Sequence, residues 1–232
     1  MRIRFHGHAC FEIKGKEGTV LIDPFLSANP MAVVKPEEFT ELSGILVTHG
    51  HADHLGDALK LASQTGAKII ANAELSTYCK NHGAKTHAMH IGGKFRFSFG
   101  TVKLTQAFHG SGIENQDKGI MEDGGLACGF LLQIDGSWIY HAGDTGLFGD
   151  MELIGRRHSL LAALLPIGDN FTMGPDDAVY AAQLVRAKTI IPMHYNTFPL
   201  IQQDAGEFLN LLKRKAPESK GIILKPGEWL EL

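Results

Sequence analysis

The order of this chain predicts an α/β fold in which two β-sheets lie face to face with helices on their outer faces, a four-layer αββα sandwich. Three observations carry that reading. The opening is rich in strands, strands and helices then alternate, and the second half repeats the alternation with no linker or low-complexity segment before it. Residues 1–232 therefore read as one domain.

Taken in order, residues 2–6, 10–14 and 19–23 are short alternating or apolar runs broken by Gly7, Gly15 and Gly18, which predicts a meander. A loop over 24–42, carrying Pro30 and Pro36, leads to the apolar strand Gly44-Ile45-Leu46-Val47. Residues 55–62 place apolar side chains at helical spacing and stop before Gly66. A strand over 68–71 and a helix over 73–81 follow, then strands over 94–99, 102–107, 126–134 and 138–141. Between them, residues 110–125 are rich in glycine and charge and read as a mobile loop, either a lid or a long turn.

An apolar strand over 160–166 opens the second half. Gly174-Pro175-Asp176-Asp177 then starts a helix, because proline needs no N–H bond at the first position and acids there complement the helix dipole. Ala178, Ala181, Ala182 and Val185 share one face of it. A strand over 189–193, a helix over 205–215 with Phe208, Leu211 and Leu212 on one side, and strands over 221–224 and 228–232 complete the order.

Hydrophobic content of 44% with 20% charged residues is ordinary for a soluble globular chain. A net charge of −3 without a basic block argues against a nucleic-acid platform. The three cysteines, Cys10, Cys79 and Cys128, are widely spaced and odd in number, so a disulfide framework is disfavoured and a cytoplasmic location is expected. Cys10 and Cys128 sit in apolar runs as core thiols. The N-terminus lacks the apolar core of a signal peptide, and no run approaches the roughly 20 apolar residues that span a bilayer.

The chemistry concentrates in Thr48-His49-Gly50-His51-Ala52-Asp53-His54, directly after an apolar strand. His49 and His51 can turn toward one ion and Asp53 with His54 toward a second, since imidazole and carboxylate suit zinc, manganese or iron. A structural zinc knuckle is disfavoured, because such sites recruit cysteine and none lies nearby. The ligands are expected in a strand-to-helix loop, beyond strand ends, where open sheets collect their ligands.

A dinuclear site needs further ligands from later strand ends. His109, Asp144 and His194 each follow an apolar or alternating run. The predicted set is His49, His51 and His109 on one ion, Asp53, His54 and His194 on the other, and Asp144 bridging. Asp53 and Asp144 are the predicted catalytic carboxylates.

The HGHADH run, the later His109, the segment His141-Ala142-Gly143-Asp144-Thr145 and the segment Pro192-Met193-His194-Tyr195-Asn196 resemble the metallo-β-lactamase superfamily in order and approximate spacing. The resemblance spans nearly the whole chain. Gly7-His8-Ala9, the stretch 166–175 and Lys225-Pro226-Gly227-Glu228 are similar to the small uncharacterised metal-dependent hydrolases related to ascorbate-6-phosphate lactonase. It implies the αββα fold and hydrolysis, without a settled substrate. Glyoxalase II and the RNA-processing nucleases of the superfamily carry added domains for which this chain has no room after His194. Flavodiiron proteins place a glutamate in the metal run, and true β-lactamases often use cysteine where Asp144 stands here.

The expected cofactors are two divalent ions, zinc first, with manganese, iron and nickel as alternatives. Their charge exceeds that of two carboxylates and a shared hydroxide, which predicts a small, anionic ester, lactone or related substrate and a metal-activated water as nucleophile. Hydrolysis of a phosphodiester is one alternative, and a non-catalytic metabolite-binding protein another. The predicted partner is the small molecule alone, with membrane and nucleic acid disfavoured and a homo-oligomer left open. His8, Thr145, Asp169, Tyr195 and Asn196 are candidates for lining the site, each weighed against a packing or turn role. His82, His87, His90, His141 and His158 are not expected to bind the metals, the first three because they lie exposed near a glycine-rich connection.

Overall fold

A computed structural model describes residues 1–115 and 117–232. The first half runs β1 (Arg2–Phe5), β2 (Phe11–Gly15), β3 (Gly18–Ile22), β4 (Gly44–Leu46), α1 (Ala52–Leu55), α2 (Ala58–Thr65), β5 (Ile69–Asn72), α3 (Ala73–Asn81) and β6 (Thr86–Met89). The second runs β7 (Lys94–Phe97), β8 (Gly100–Gln106), β9 (Gly112–Asn115), β10 (Ile120–Asp123), β11 (Cys128–Ile134), β12 (Ser137–His141), α4 (Met151–Arg157), β13 (Leu160–Pro166), α5 (Pro175–Val185), β14 (Thr189–Met193), α6 (Ala205–Lys215), β15 (Lys220–Gly221) and β16 (Trp229–Glu231).

These form two seven-stranded sheets, ordered β16-β1-β2-β3-β4-β5-β6 and β15-β14-β13-β12-β11-β8-β7, and a separate β9-β10 hairpin. Alternation in β1 turns Ile3 and Phe5 inward, where Phe5 meets Phe11 at a ring separation of 4.9 Å. They share one apolar cluster with Phe130 and Leu132 of the facing sheet. A second cluster packs Leu61 of α2 and Leu75 of α3 on Ile45 and Ile69, so these helices cover the outside of the first sheet. Ile154, Ala178 and Phe208 bring α4, α5 and α6 into the larger cluster and cover the second. Parallel strands β4 and β14 are buried at every residue, as covering both faces of a sheet requires. The αββα order is thus realised, with the expected spans of α3, β13, β14 and α6 reproduced.

The structure departs from expectation where local pattern is weak. The helix expected over 55–62 is two pieces, and Asp53 and His54 lie inside the short α1 rather than in a loop. Gly56 separates the pieces with φ 39°, and a Cβ there would stand 2.6 Å from the Pro24 carbonyl oxygen, so the close passage of that loop breaks the helix. Strand β6 buries only Met89 on the sheet edge and is defined by pairing with β5, which periodicity does not show. Helix α4 buries only Met151 and Ile154. The expected strand over 221–224 shortens to β15. The stretch expected as a loop over 110–125 is the β9-β10 hairpin, with Ile120 opposite Asn115 and Asp123 opposite Gly112; Gln116 within it lies outside the described residues. Cys10, Cys79 and Cys128 are free and buried. Among the described residues no helix is long and apolar enough to cross a membrane.

Candidate metal centre

Strand ends at one edge of the sandwich and the short helix α1 supply the site. Asp23 follows β3, His49 and His51 follow β4, His109 follows β8, Asp144 follows β12 and His194 follows β14, while Asp53 and His54 ride on α1. Gly143 delivers Asp144. Its φ is 64°, and a Cβ would lie 2.5 Å from the Cys128 carbonyl oxygen, so only glycine carries the chain past β11 at this point.

All seven predicted ligands converge. Potential donor atoms of His49, His51 and His109 lie within 4.8 Å of one another, as do those of His8, Asp53, His54 and His194, and those of His49, His54 and Asp144. In the first set His51 Nδ1 is 3.0 Å from His49 Nε2 and 3.3 Å from His109 Nε2. Asp144 stands between the sets. Its Oδ2 is 3.6 Å from His109 Nε2 and 2.9 Å from His194 Nε2, and its Oδ1 is 3.3 Å from His54 Nε2.

Sequence reasoning missed Asp23. Its Oδ1 accepts the Thr48 backbone N–H at 2.8 Å, and its Oδ2 accepts both the Thr48 hydroxyl and His54 Nδ1–H at 2.8 Å. Because the Thr48 hydroxyl donates to the carboxylate, it accepts from His49 Nδ1 at 2.9 Å. One buried carboxylate thereby sets both tautomers, turning Nε2 of His49 and of His54 toward the cluster. The available signal was register, since parallel pairing of Ile22 with Leu46 sets Asp23 beside the start of the histidine run.

His8 also reaches the site. Its Nε2–H donates to Asp53 Oδ2 at 3.0 Å, and because a carboxylate only accepts, Nδ1 takes the Thr197 hydroxyl proton at 2.8 Å. Its ring lies 4.0 Å from that of His194, whose N–H donates to the His8 carbonyl at 2.7 Å. His8, Asp23 and His194 all have positive φ, 61°, 46° and 54°, a conformation concentrated at functional positions.

Of the other four candidates, Thr145, Asp169 and Asn196 spend side-chain bonds on the chain's turns. Thr145 accepts the Phe108 N–H at 3.0 Å and so orients the segment before His109. Asp169 is exposed and caps its own turn by accepting from Asn170 N–H at 2.9 Å. Asn196, with φ 60°, accepts from Gln203 N–H at 2.8 Å, and Tyr195 is buried beside it. Among the described residues, His82, His87, His90, His141 and His158 belong to none of the clusters. His87 is half-buried against Phe95 and Phe97, not exposed as expected, because it belongs to β6. His141 ties the sheets together, accepting Gly143 N–H on Nδ1 and donating Nε2–H to the Ala9 carbonyl.

The electrostatics suit cation binding. Burial holds His49 well below the usual histidine range and also lowers His51 and His109, so neutral imidazoles face inward. Burial opposes ionisation of Asp144, but His194 and His54 outweigh it and hold the carboxyl well below its ordinary value. Burial likewise opposes the charge on His54, which Asp144 and Asp23 raise well above its usual range. Buried His54 Nε2, His194 Nε2 and Asp144 Oδ1 make no well-directed hydrogen bond, although Asp144 lies 2.9 Å from His194 and 3.3 Å from His54. Orphaned polar atoms that point at one another are costly unless a cation joins them, so these residues fit divalent metal.

A family model, the beta-lactamase superfamily domain, matches residues 18–195. The chain is 66% identical over 231 residues to a UPF0173 metal-dependent hydrolase of Desulfitobacterium hafniense, covering 99% of this chain and 98% of that protein. It is 53% identical over 232 residues to one of Pelotomaculum thermopropionicum, with full coverage of both. The metallo hydrolase Igni18 of the archaeon Ignicoccus hospitalis superposes with a TM-score of 0.89 at 33% identity, over 100% of this chain and 98% of that one. Fold, clustered histidines and relatives agree, and the chain belongs to the metallo-β-lactamase superfamily and, within it, to the UPF0173 metal-dependent hydrolases.

Proposed function

We propose that this metal-dependent hydrolase works through a dinuclear centre on a small ester, lactone or related acyl substrate. The observation that carries the reading is the position of Asp144, whose Oδ2 reaches His109 of one donor set and His194 of the other. His49, His51 and His109 would hold one ion, Asp53, His54 and His194 the second, with Asp144 shared and zinc favoured by the nitrogen-rich set. Such ions supply a water acidified toward neutral pH and a Lewis acid for the scissile oxygen.

This chain's own residues do the positioning. Asp23 and Thr48 hold the rings of His49 and His54, and His8 holds Asp53 through Oδ2. Asp53, with 27% of its side chain exposed, is the carboxylate that water can reach, and it accepts the proton released as water attacks. Burial opposes its charge, but the His8 hydrogen bond keeps Asp53 well below the ordinary carboxylate range, so it stands ionised and would hold a proton only in passing. The surplus positive charge of the ions favours negative charge at the reacting carbonyl, and the anionic substrate expected from the sequence rests on that same surplus.

Elemental analysis of the purified protein should find close to two divalent ions per chain. His51→Ala and Asp144→Ala should lose metal and turnover while keeping the far-UV circular dichroism of the fold. A single ion per chain, or full activity in either variant, would sink the dinuclear reading.

A further inference from the structure

Among the loops that carry the metal-binding residues the one lysine or arginine is Lys35, which precedes the turn at 36–38 that Gln64 of α2 ties down, and the segments next to the site have none. Residues 6–10, 23–34, 48–57, 107–111, 142–150, 167–174 and 194–204 hold no lysine or arginine, while they hold seven aspartates, at 23, 53, 57, 144, 150, 169 and 204. The hairpin beside His109 offers Lys118, which is turned to Glu122 at 3.7 Å. A phosphate or carboxylate away from the reacting group would thus find no protein countercharge and several acids.

Aromatic and aliphatic side chains take that place. Phe25 and Phe198 stand edge-on to His8, which bonds Asp53, at ring separations of 5.6 Å and 5.4 Å. Phe108, next to His109 and just beyond β8, is 59% exposed while its ring edge meets Phe148 at 5.4 Å. Ile167 N–H donates to the Met193 carbonyl, which lays the following loop alongside His194 and brings out Phe171, 51% exposed. Leu200, on the loop after His194, is 68% exposed. Phe108, Phe171 and Leu200 lie on the loops after β8, β13 and β14, the strands whose ends border the metal-binding residues, and exposed large apolar side chains on several such loops mark a ligand-binding surface.

We propose that the substrate is an ester, thioester or lactone whose body beyond the scissile carbonyl is apolar and uncharged, seated on Phe108, Phe171, Phe198 and Leu200. This rests on the hydrolytic reading above. Water adds its oxygen to the carbonyl carbon, the bond from carbon to the leaving oxygen or sulfur breaks, and the leaving group departs with a proton. The negative charge expected from the surplus of the ions is then met by the reacting oxygen and the product carboxylate alone.

The test is a matched panel of phenyl esters with metal-loaded protein. Extending the acyl chain from acetyl to hexanoyl should raise kcat/KM at least roughly ten-fold, since each buried methylene contributes. Phenyl hemisuccinate should be at least about ten-fold poorer than the butyrate, because its carboxylate meets that surface without a countercharge. Phe198→Ser should reduce the ratio of hexanoyl to acetyl turnover, and Phe171→Lys should raise the hemisuccinate relative to the butyrate. Preference for the hemisuccinate in the unaltered protein, or rim variants that change all esters equally, would overturn the proposal while leaving the hydrolase reading intact. Absence of turnover on every ester overturns both.

Discussion

Asp23 accepts the Nδ1 proton of His54 at 2.8 Å, and the same oxygen accepts the Thr48 hydroxyl that receives His49 Nδ1–H. One carboxylate with no exposed surface thus orients a histidine from each of the two donor sets. Asp23→Asn keeps the volume but replaces part of the acceptor with a donor, which releases one or both rings. Metal affinity should fall about 10–100-fold. Competition with a chromophoric chelator measures it, and unchanged affinity would remove Asp23 from the site's design.

Gly143→Ala confronts both a left-handed φ of 64° and a carbonyl oxygen 2.5 Å from the new Cβ. Conformational strain alone costs about 1–3 kcal/mol. Because the residue delivers Asp144, metal occupancy should fall together with stability. Urea denaturation with parallel elemental analysis would show whether the two losses track each other.

Burial holds His8 down to about 4 in the metal-free protein, against the opposing hydrogen bond to Asp53. Above pH 6.5 the ring is neutral folded or unfolded and contributes nothing to pH dependence. Below 6.5 the unfolded chain takes a proton that the folded chain refuses, so stability falls as pH drops toward 4, by at most about 3 kcal/mol. His8→Asn should flatten that part of the curve. Denaturation of chelator-treated wild type and variant between pH 7 and 4.5 decides it, and parallel curves would exclude the contribution.

Metal removal should destabilise the fold. His54 Nε2, His194 Nε2 and Asp144 Oδ1 are buried and close together without well-directed hydrogen bonds, so stripping ions leaves desolvated polar atoms poorly paired. Ligand linkage predicts several kcal/mol when free metal exceeds its dissociation constant a thousand-fold. Thermal unfolding with and without chelator should separate by several degrees, and coincident curves would count against metal at this cluster.

Local pattern in the sequence was enough for the α/β class, because period-two burial in β1 and helical spacing in α6 are properties of neighbouring residues. It also singled out His49, His51, Asp53, His54, His109, Asp144 and His194 as candidate ligands, polar donors following apolar runs, and the structure brings their potential donor atoms together. Strand β6 and the β9-β10 hairpin escaped it, because short, half-polar strands are defined by what they pair with. The tertiary structure alone decided that Asp23 orients His49 and His54, and that His8 and Thr197, 189 residues apart in sequence, fix Asp53. Those relations depend on the register of β3 on β4 and on the meeting of two sheets, distances that no local spacing along the chain encodes.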